Sequence, residues 1–204
     1  MRAFGTAVVL CAGLFLDPSA RLVSAEAPPA TVPAADAPIR VRSLPHPRTS
    51  VRWGRAEAVM DAPVDEVQEI VENYAQYHTF LPHFQVSRVL SQRGSSAIVY
   101  MEALVALGTV TLWAQVKMGP RKIRGGTRTI EAKMMKGNVR VLEARWELTP
   151  IDTARTEVAF QLLIEPKVPL PSAVLSYENE KASRKTLKAL RRALAQAHEK
   201  TARR

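Results

Sequence analysis

From Val51 to Ile164 apolar and polar residues alternate with a period of two in one segment after another. Val51 to Met60 opens the series and Phe84 to Leu90 resumes it. Ala97, Val99, Met101, Ala103, Val105 and Leu107 then alternate up to Gly108, and Val110, Leu112, Ala114, Val116 and Met118 run on to Gly119-Pro120. A further segment carries Ile130, Ala132 and Met134 and stops at Lys136-Gly137-Asn138. Leu142, Ala144, Trp146 and Leu148 follow, and Val158, Phe160, Leu162 and Ile164 close the series after a turn at Pro150 to Thr153. Gln92-Arg93-Gly94-Ser95 is a turn of the same kind. Alternation broken by tight turns predicts an antiparallel meander with one face to bury.

Two segments change the period to three and four. In VMDAPVDEVQEIVENYAQYHTFLP (59–82), Val64, Val67, Val71 and Tyr74 fall on one helical face. Asp61 is a candidate cap, Pro63 suits a helix start, and Asp65 and Glu66 complement the dipole of the first turn. A longer helix is predicted from Ser172, a candidate cap behind Pro171, to about Ala197; Leu175, Ala182, Thr186, Leu190 and Leu194 form its apolar stripe. The fold class is therefore α+β: a curved antiparallel sheet wrapped around a long C-terminal helix, with short helices after the first strand. A helix lying across a curved sheet does not fill the enclosed space, which predicts an apolar cavity suited to a hydrophobic small molecule.

Composition adds the ends of the chain. Arg2 precedes the apolar run AFGTAVVLCAGLFL, and Val23-Ser24-Ala25 precedes Glu26. This reads as a signal peptide over 1–25 and predicts a periplasmic protein; an uncleaved N-terminal membrane anchor is the alternative. Cys11, the single cysteine, lies inside that run, so disulfides and thiolate chemistry are not expected of the mature chain. Residues 26–48 are rich in Pro and Ala and read as a linker containing a solvated His46, with the domain spanning 49–198 and a basic tail at 199–204.

The net charge of +10 is concentrated. From Lys181 to Arg204 nine Lys or Arg face one acid, Glu199. For an exported protein the natural counter-charge is an anionic membrane surface rather than nucleic acid; a solvated basic face is the alternative. Candidate membrane contacts are Lys185, Lys188, Arg191, Arg192, Arg203 and Arg204.

Val59-Met60-Asp61-Ala62-Pro63, Val67, Tyr74-Ala75-Gln76-Tyr77, Phe80-Leu81-Pro82 and the C-terminal Leu187-Lys188-Ala189-Leu190-Arg191 resemble the START-like helix-grip (SRPBCC) superfamily. The branch most similar is the polyketide cyclase/dehydrase and coenzyme Q-binding group, over residues 50–197. Asn73 stands where that group often carries an Asp. The resemblance implies binding of a lipid, quinone or polyketide-like ligand. The expected function is non-enzymatic binding or transport of such a molecule. A polyketide cyclase/dehydratase-like enzyme and an anionic-membrane docking module are the alternatives, because fold alone does not transfer chemistry.

Catalysis would need an acid–base group oriented by a partner, and none stands out. His78, His83 and Glu72 have no ligand-like spacing, so no metal site is expected, and no cofactor motif occurs. Glu102 interrupts an apolar stretch on the face of Ile98, Tyr100 and Leu104. It either lines the cavity or pairs outward with a neighbouring Arg. Glu143 and Arg145 pose the same choice opposite Trp146. The candidate ligand-binding residues are Tyr74, Tyr77, Phe80, Tyr100, Glu102, Leu112, Trp146, Phe160 and Leu175. A monomer is expected.

Overall fold

The computed structural model describes residues 37–105, 110–168 and 170–202. The expected signal segment, Arg203 and Arg204 lie outside the described residues.

The elements in order are β1 (Arg40–His46), β2 (Thr49–Met60), α1 (Val64–Glu72), a 3-10 turn (Tyr74–Gln76), α2 (Tyr77–Phe80), β3 (Phe84–Arg93), β4 (Ser96–Val105), β5 (Val110–Met118), β6 (Lys122–Arg124), β7 (Thr127–Gly137), β8 (Val139–Pro150), β9 (Thr156–Pro166) and α3 (Ser172–Ala202). The strands form one curved, unclosed antiparallel sheet in the order β1-β2-β9-β8-β7-β5-β4-β3, with short β6 beside β7. This is the α+β helix-grip fold that the alternation and the C-terminal stripe predict.

Both boundaries of the expected domain move outward. Residues 40–46, placed in the linker by Pro45 and the Pro–Ala run before them, form β1, with Val41 opposite Ala56 and Arg42 opposite Arg55. Their alternation is sound: Val41 packs on the core, while Arg40 and Arg42 reach Glu157 and Glu57 on the other face. At the far end α3 continues through Ala202, so residues 199–202 of the expected tail are helical.

Neither predicted residue occupies the N-cap position. Pro63 itself takes the N-cap position of α1, its carbonyl accepting from the Val67 N–H. Ser172 is inside α3, whose first bonds run from Val174 and Leu175 to the Pro171 carbonyl. Its hydroxyl therefore sits one position late for capping.

The concave face holds the core. Ala56, Ala58 and Met60 of β2, Val99 of β4, Val116 and Met118 of β5, Ile130 of β7, Trp146 and Leu148 of β8 and Val158 and Phe160 of β9 meet Val67 and Val71 of α1 and Leu187, Leu190 and Leu194 of α3.

The N-terminal half of α3 is fastened differently. Asn179, buried, donates to the Arg52 carbonyl (3.2 Å) and accepts from the Ile164 N–H (3.1 Å). The β2–β9 ladder ends at Gly54↔Leu162, so the Asn179 side chain stands where the next rung would lie. Ser176 accepts from the Arg52 N–H at 2.9 Å, and Ser183 donates to the Gly54 carbonyl at 2.8 Å. Close approach demands the glycine: a Cβ at Gly54 would fall 2.2 Å from the Asn179 backbone.

Candidate ligand-binding site

Sequence alternation places one residue in two of every strand on the concave face, yet the two ends of that face differ. At the end formed by Met60, Met118, Ile130 and Leu148, side chains are less than 2% exposed. Helices α1 and α2 and the C-terminal half of α3 supply Val67, Val71, Tyr74, Tyr77, Leu187 and Leu190 to this closed end. Trp146 and Phe160 lie ring on ring with centroids 4.2 Å apart. The Tyr77 hydroxyl donates to the Val71 carbonyl at 2.6 Å and also meets the Trp146 side chain.

Toward the β4–β5 end the same faces carry Met101, Ala103, Leu112, Met134, Leu142, Ala144 and Leu162, all half-buried. Here α3 is bound to β2 and β9 through Ser176, Asn179 and Ser183, and the apolar side chains of β4, β5, β7 and β8 keep partial contact with solvent. Leucine, methionine and alanine on a concave surface recognise hydrocarbon and offer no polar partner.

Two depressions stand out, and both open to solvent. One, of about 420 Å³, runs between the α1–α2 segment and α3 and is lined by Ile70, Asn73, Phe80, Ala193 and Ala197 among others. The other, of about 210 Å³, lies beside Tyr74 and the β3–β4 turn. Neither is the enclosed apolar cavity expected from the curvature, because Trp146, Phe160 and Tyr77 fill the closed end.

The candidate ligand residues therefore scatter. Leu112 is at the open end of the concave face and Phe80 borders the groove beside α3. Tyr74, Tyr77, Trp146 and Phe160 are buried in the closed end. Burial, reinforced by the nearby charge of Glu72, pushes the Tyr74 hydroxyl up to about 12, and burial raises Tyr77 too.

Three of the candidates lie elsewhere. Tyr100 and Glu102 are on the outer face, where the Tyr100 hydroxyl donates to the Glu102 carboxylate and is thereby held above its ordinary pKa. Their neighbours Val99 and Met101 take the inner face, and a strand cannot present adjacent residues to one side. Leu175 joins a small separate cluster with Val51, Leu163, Trp53 and Val141.

The outer face is an ion-pair ladder. Arg55 holds Glu57 at 2.7 Å and Glu147 at 2.8 Å, and Arg145 holds Glu147 at 3.0 Å. Burial disfavours the Glu57 carboxylate, but the hydrogen bond and charge of Arg55 outweigh it and lower its pKa. Glu143 faces outward as well, paired with Arg48. His46, expected to be solvated, has a side chain only 4% exposed, tilted on Trp53 and 3.7 Å from Glu143.

The remaining histidines do not converge. His78 and His83 are exposed, with His83 at a positive φ of 70° and 3.4 Å from Lys185, while His198 reaches Glu66 at 2.7 Å. Among the described residues no group of three or more His, Cys, Asp or Glu is placed to hold a metal ion.

Of the basic residues, Lys185, Lys188 and Arg192 are exposed on α3. Arg191 is a correction: it is half-buried and donates to the Ala37 and Val59 carbonyls, tying α3 to β2. Among the described residues no helix is long and apolar enough to cross a membrane. The functional feature that sequence reasoning missed is the polar set Ser176, Asn179 and Ser183. Its signal was the spacing, three polar residues at helical intervals on the face that also carries Leu187 and Leu190.

Comparison with known proteins completes the picture. The chain matches the family described as polyketide cyclase / dehydrase and lipid transport over residues 60–191. Among solved structures it is similar to the STAR-related lipid transfer protein of Xanthomonas axonopodis, with a TM-score of 0.67 and 21% identity over 77% of this chain and 93% of that one. It is also similar to human StAR-related lipid transfer protein 5, with a TM-score of 0.67 and 11% identity over 78% and 83% of the two chains. A START superfamily protein of Mycobacterium smegmatis shares a TM-score of 0.60 and 15% identity over 71% and 98%. No protein of curated function matches the sequence. With the curved sheet gripping α3 and the family matched along most of the domain, the chain belongs to the polyketide cyclase / dehydrase and lipid transport family.

Proposed function

We propose that the domain binds and carries a hydrophobic small molecule, of lipid, quinone or polyketide-like character, between the open end of the concave face and α3, without transforming it. The observation that carries this reading is the row of half-buried apolar residues, Met101, Leu112, Leu142 and Leu162, beneath a helix fastened to one side of the sheet. A ligand seated there would withdraw this apolar surface from water at about 25 cal/mol per Å². The groove beside Phe80 and Ala193, lined by polar and apolar side chains alike, offers a second approach to α3. The family to which the chain belongs includes lipid transport in its description, which supports the same reading.

The test is native mass spectrometry of gently purified protein followed by lipid extraction. Wild type is expected to retain or take up a quinone, fatty acid or phospholipid. Leu112→Arg and Leu162→Arg should lose it while keeping the far-UV spectrum of the fold. A wild-type protein that stays empty with all three classes overturns the proposal. Release of a chemically altered polyketide would replace it with the cyclase reading.

A membrane-facing role is favoured by the exposed Lys185, Lys188 and Arg192. Near an anionic surface each contributes on the order of 1 kcal/mol, screened by salt. Export completes the proposal: the mature chain would begin at Glu26 in the periplasm. N-terminal sequencing of the native protein decides this, and a chain starting at Met1 in the cytosol overturns it.

A further inference from the structure

The smaller depression sits at the closed end of the sheet, away from the apolar row. It is lined by Glu72, Tyr74, Gln92, Gly94, Ser95 and Arg121. Its hydrogen-bonding groups are unevenly used. Both Glu72 oxygens are engaged, by Arg121 Nη1 at 2.9 and 2.7 Å and by the Gln68 amide at 3.0 Å. Those two acceptors are already occupied.

The donors are not. Tyr74 is 3% exposed, and its hydroxyl has no hydrogen-bond partner among the described residues. Tyr74 itself lines the depression together with Glu72 and Arg121. Arg121 uses Nη1 on Glu72, and among the described residues no bond is found for its Nη2 or Nε. Ser95 accepts the Arg121 backbone N–H at 3.1 Å, which turns a lone pair inward to the chain and leaves its own proton to give. Gly94, at φ 57°, makes the tight β3–β4 turn that brings Ser95 and Gln92 to the rim.

A buried hydroxyl left without a hydrogen bond costs free energy, and an acceptor reaching the depression that Tyr74 shares with Arg121 would satisfy it. We infer that this depression binds an oxyanion, a carboxylate or phosphate group, held by the Tyr74 hydroxyl, the Ser95 hydroxyl and the unused Arg121 nitrogens. The Glu72 charge opposes an anion here and keeps the affinity modest. The site is separate from the apolar row, so it stands or falls independently of ligand carriage.

The experiment is an amide chemical-shift titration of the full-length protein with inorganic phosphate, acetate, hexanoate and dihexanoyl phosphatidic acid. Saturable shifts at the Gly94, Ser95 and Arg121 amides are expected with at least one probe below ~10 mM. Tyr74→Phe should weaken that binding about five- to tenfold and Ser95→Ala about threefold. Because Tyr74→Phe removes an unpartnered hydroxyl, its melting temperature should equal or exceed that of wild type, which separates a lost ligand contact from a damaged fold. If Tyr74→Phe does not fold, the orphan-hydroxyl premise is wrong and the inference falls with it. Phosphatidic acid binding well above inorganic phosphate identifies a lipid headgroup as the source, and equal binding identifies a free anion. No saturable shift with any probe, or equal binding by wild type and both variants, overturns the inference.

Discussion

The two ends of the concave face are built from the same strands with the same alternation, yet one is sealed and the other is not. At the sealed end Leu148, Leu187 and Leu190 are entirely buried, and the helices bring apolar side chains down onto the sheet. At the other end Leu112, Leu142 and Leu162 have an equally apolar character and only partial cover. The difference lies in what covers the strands: leucines of α3 together with side chains of α1 and α2 at one end, and at the other the polar bonds of Asn179, Ser176 and Ser183 to β2 and β9. The partly covered apolar surface is left by what the helices cover, not by a change in the strands.

The comparison breaks most severely at Gly54. Gly54→Val would drive its side chain into the Asn179 backbone and should destabilise by at least ~3 kcal/mol, read by urea unfolding. Next, Leu187→Ala or Leu148→Ala at the sealed end should cost about 3 kcal/mol, whereas Leu112→Ala or Leu162→Ala should cost under about 1 kcal/mol and chiefly weaken lipid retention. Equal costs at both ends would dissolve the distinction. Asn179→Ala leaves the Arg52 carbonyl and Ile164 N–H without their partner and should cost about 2 kcal/mol by the same measurement.

The smallest effect is a pH dependence of the sealed end. Tyr74 ionises at about 12 in the fold against 10.0 for the free side chain, so above pH 10 the unfolded chain releases a proton that the native state keeps. The buried group's resistance to ionisation is without effect below pH 10 and lowers stability progressively as pH rises toward 12, with Tyr77 acting in the same direction. Denaturant midpoints measured across this window should fall less steeply for Tyr74→Phe than for wild type.

The meander was legible because alternation survives any detail of packing. Both helices were legible from their three-and-four spacing. β1 was hidden: in 40–46 the Pro45 and the preceding Pro–Ala run outweighed a correct alternation of Arg40, Val41 and Arg42. The site was less legible. Parity along β4 already set Tyr100 and Glu102 opposite Val99 and Met101, so their removal to the outer face follows from the sequence itself. Whether Trp146 or Leu112 lies under cover does not, because alternation gives the face of a residue and not the element above it. The polar fastening of α3 escaped for a related reason. Asn179 and Ser183 are ordinary on a solvated helix, and only the backbone groups of β2 and β9 give them a purpose.

That fastening fixes more than contact. A helix held by leucines alone can slide one turn along a sheet and find similar neighbours, since its apolar residues recur every three or four positions. Asn179 and Ser183 stand four residues apart and address Arg52 and Gly54, two residues apart on β2. A slide of one turn would strand both at once and bring the helix backbone out of the notch at Gly54. The axial position of α3 is thus indexed to the strand beneath it, and the dimensions of the apolar space it overhangs are set by that index rather than by the contents of the space.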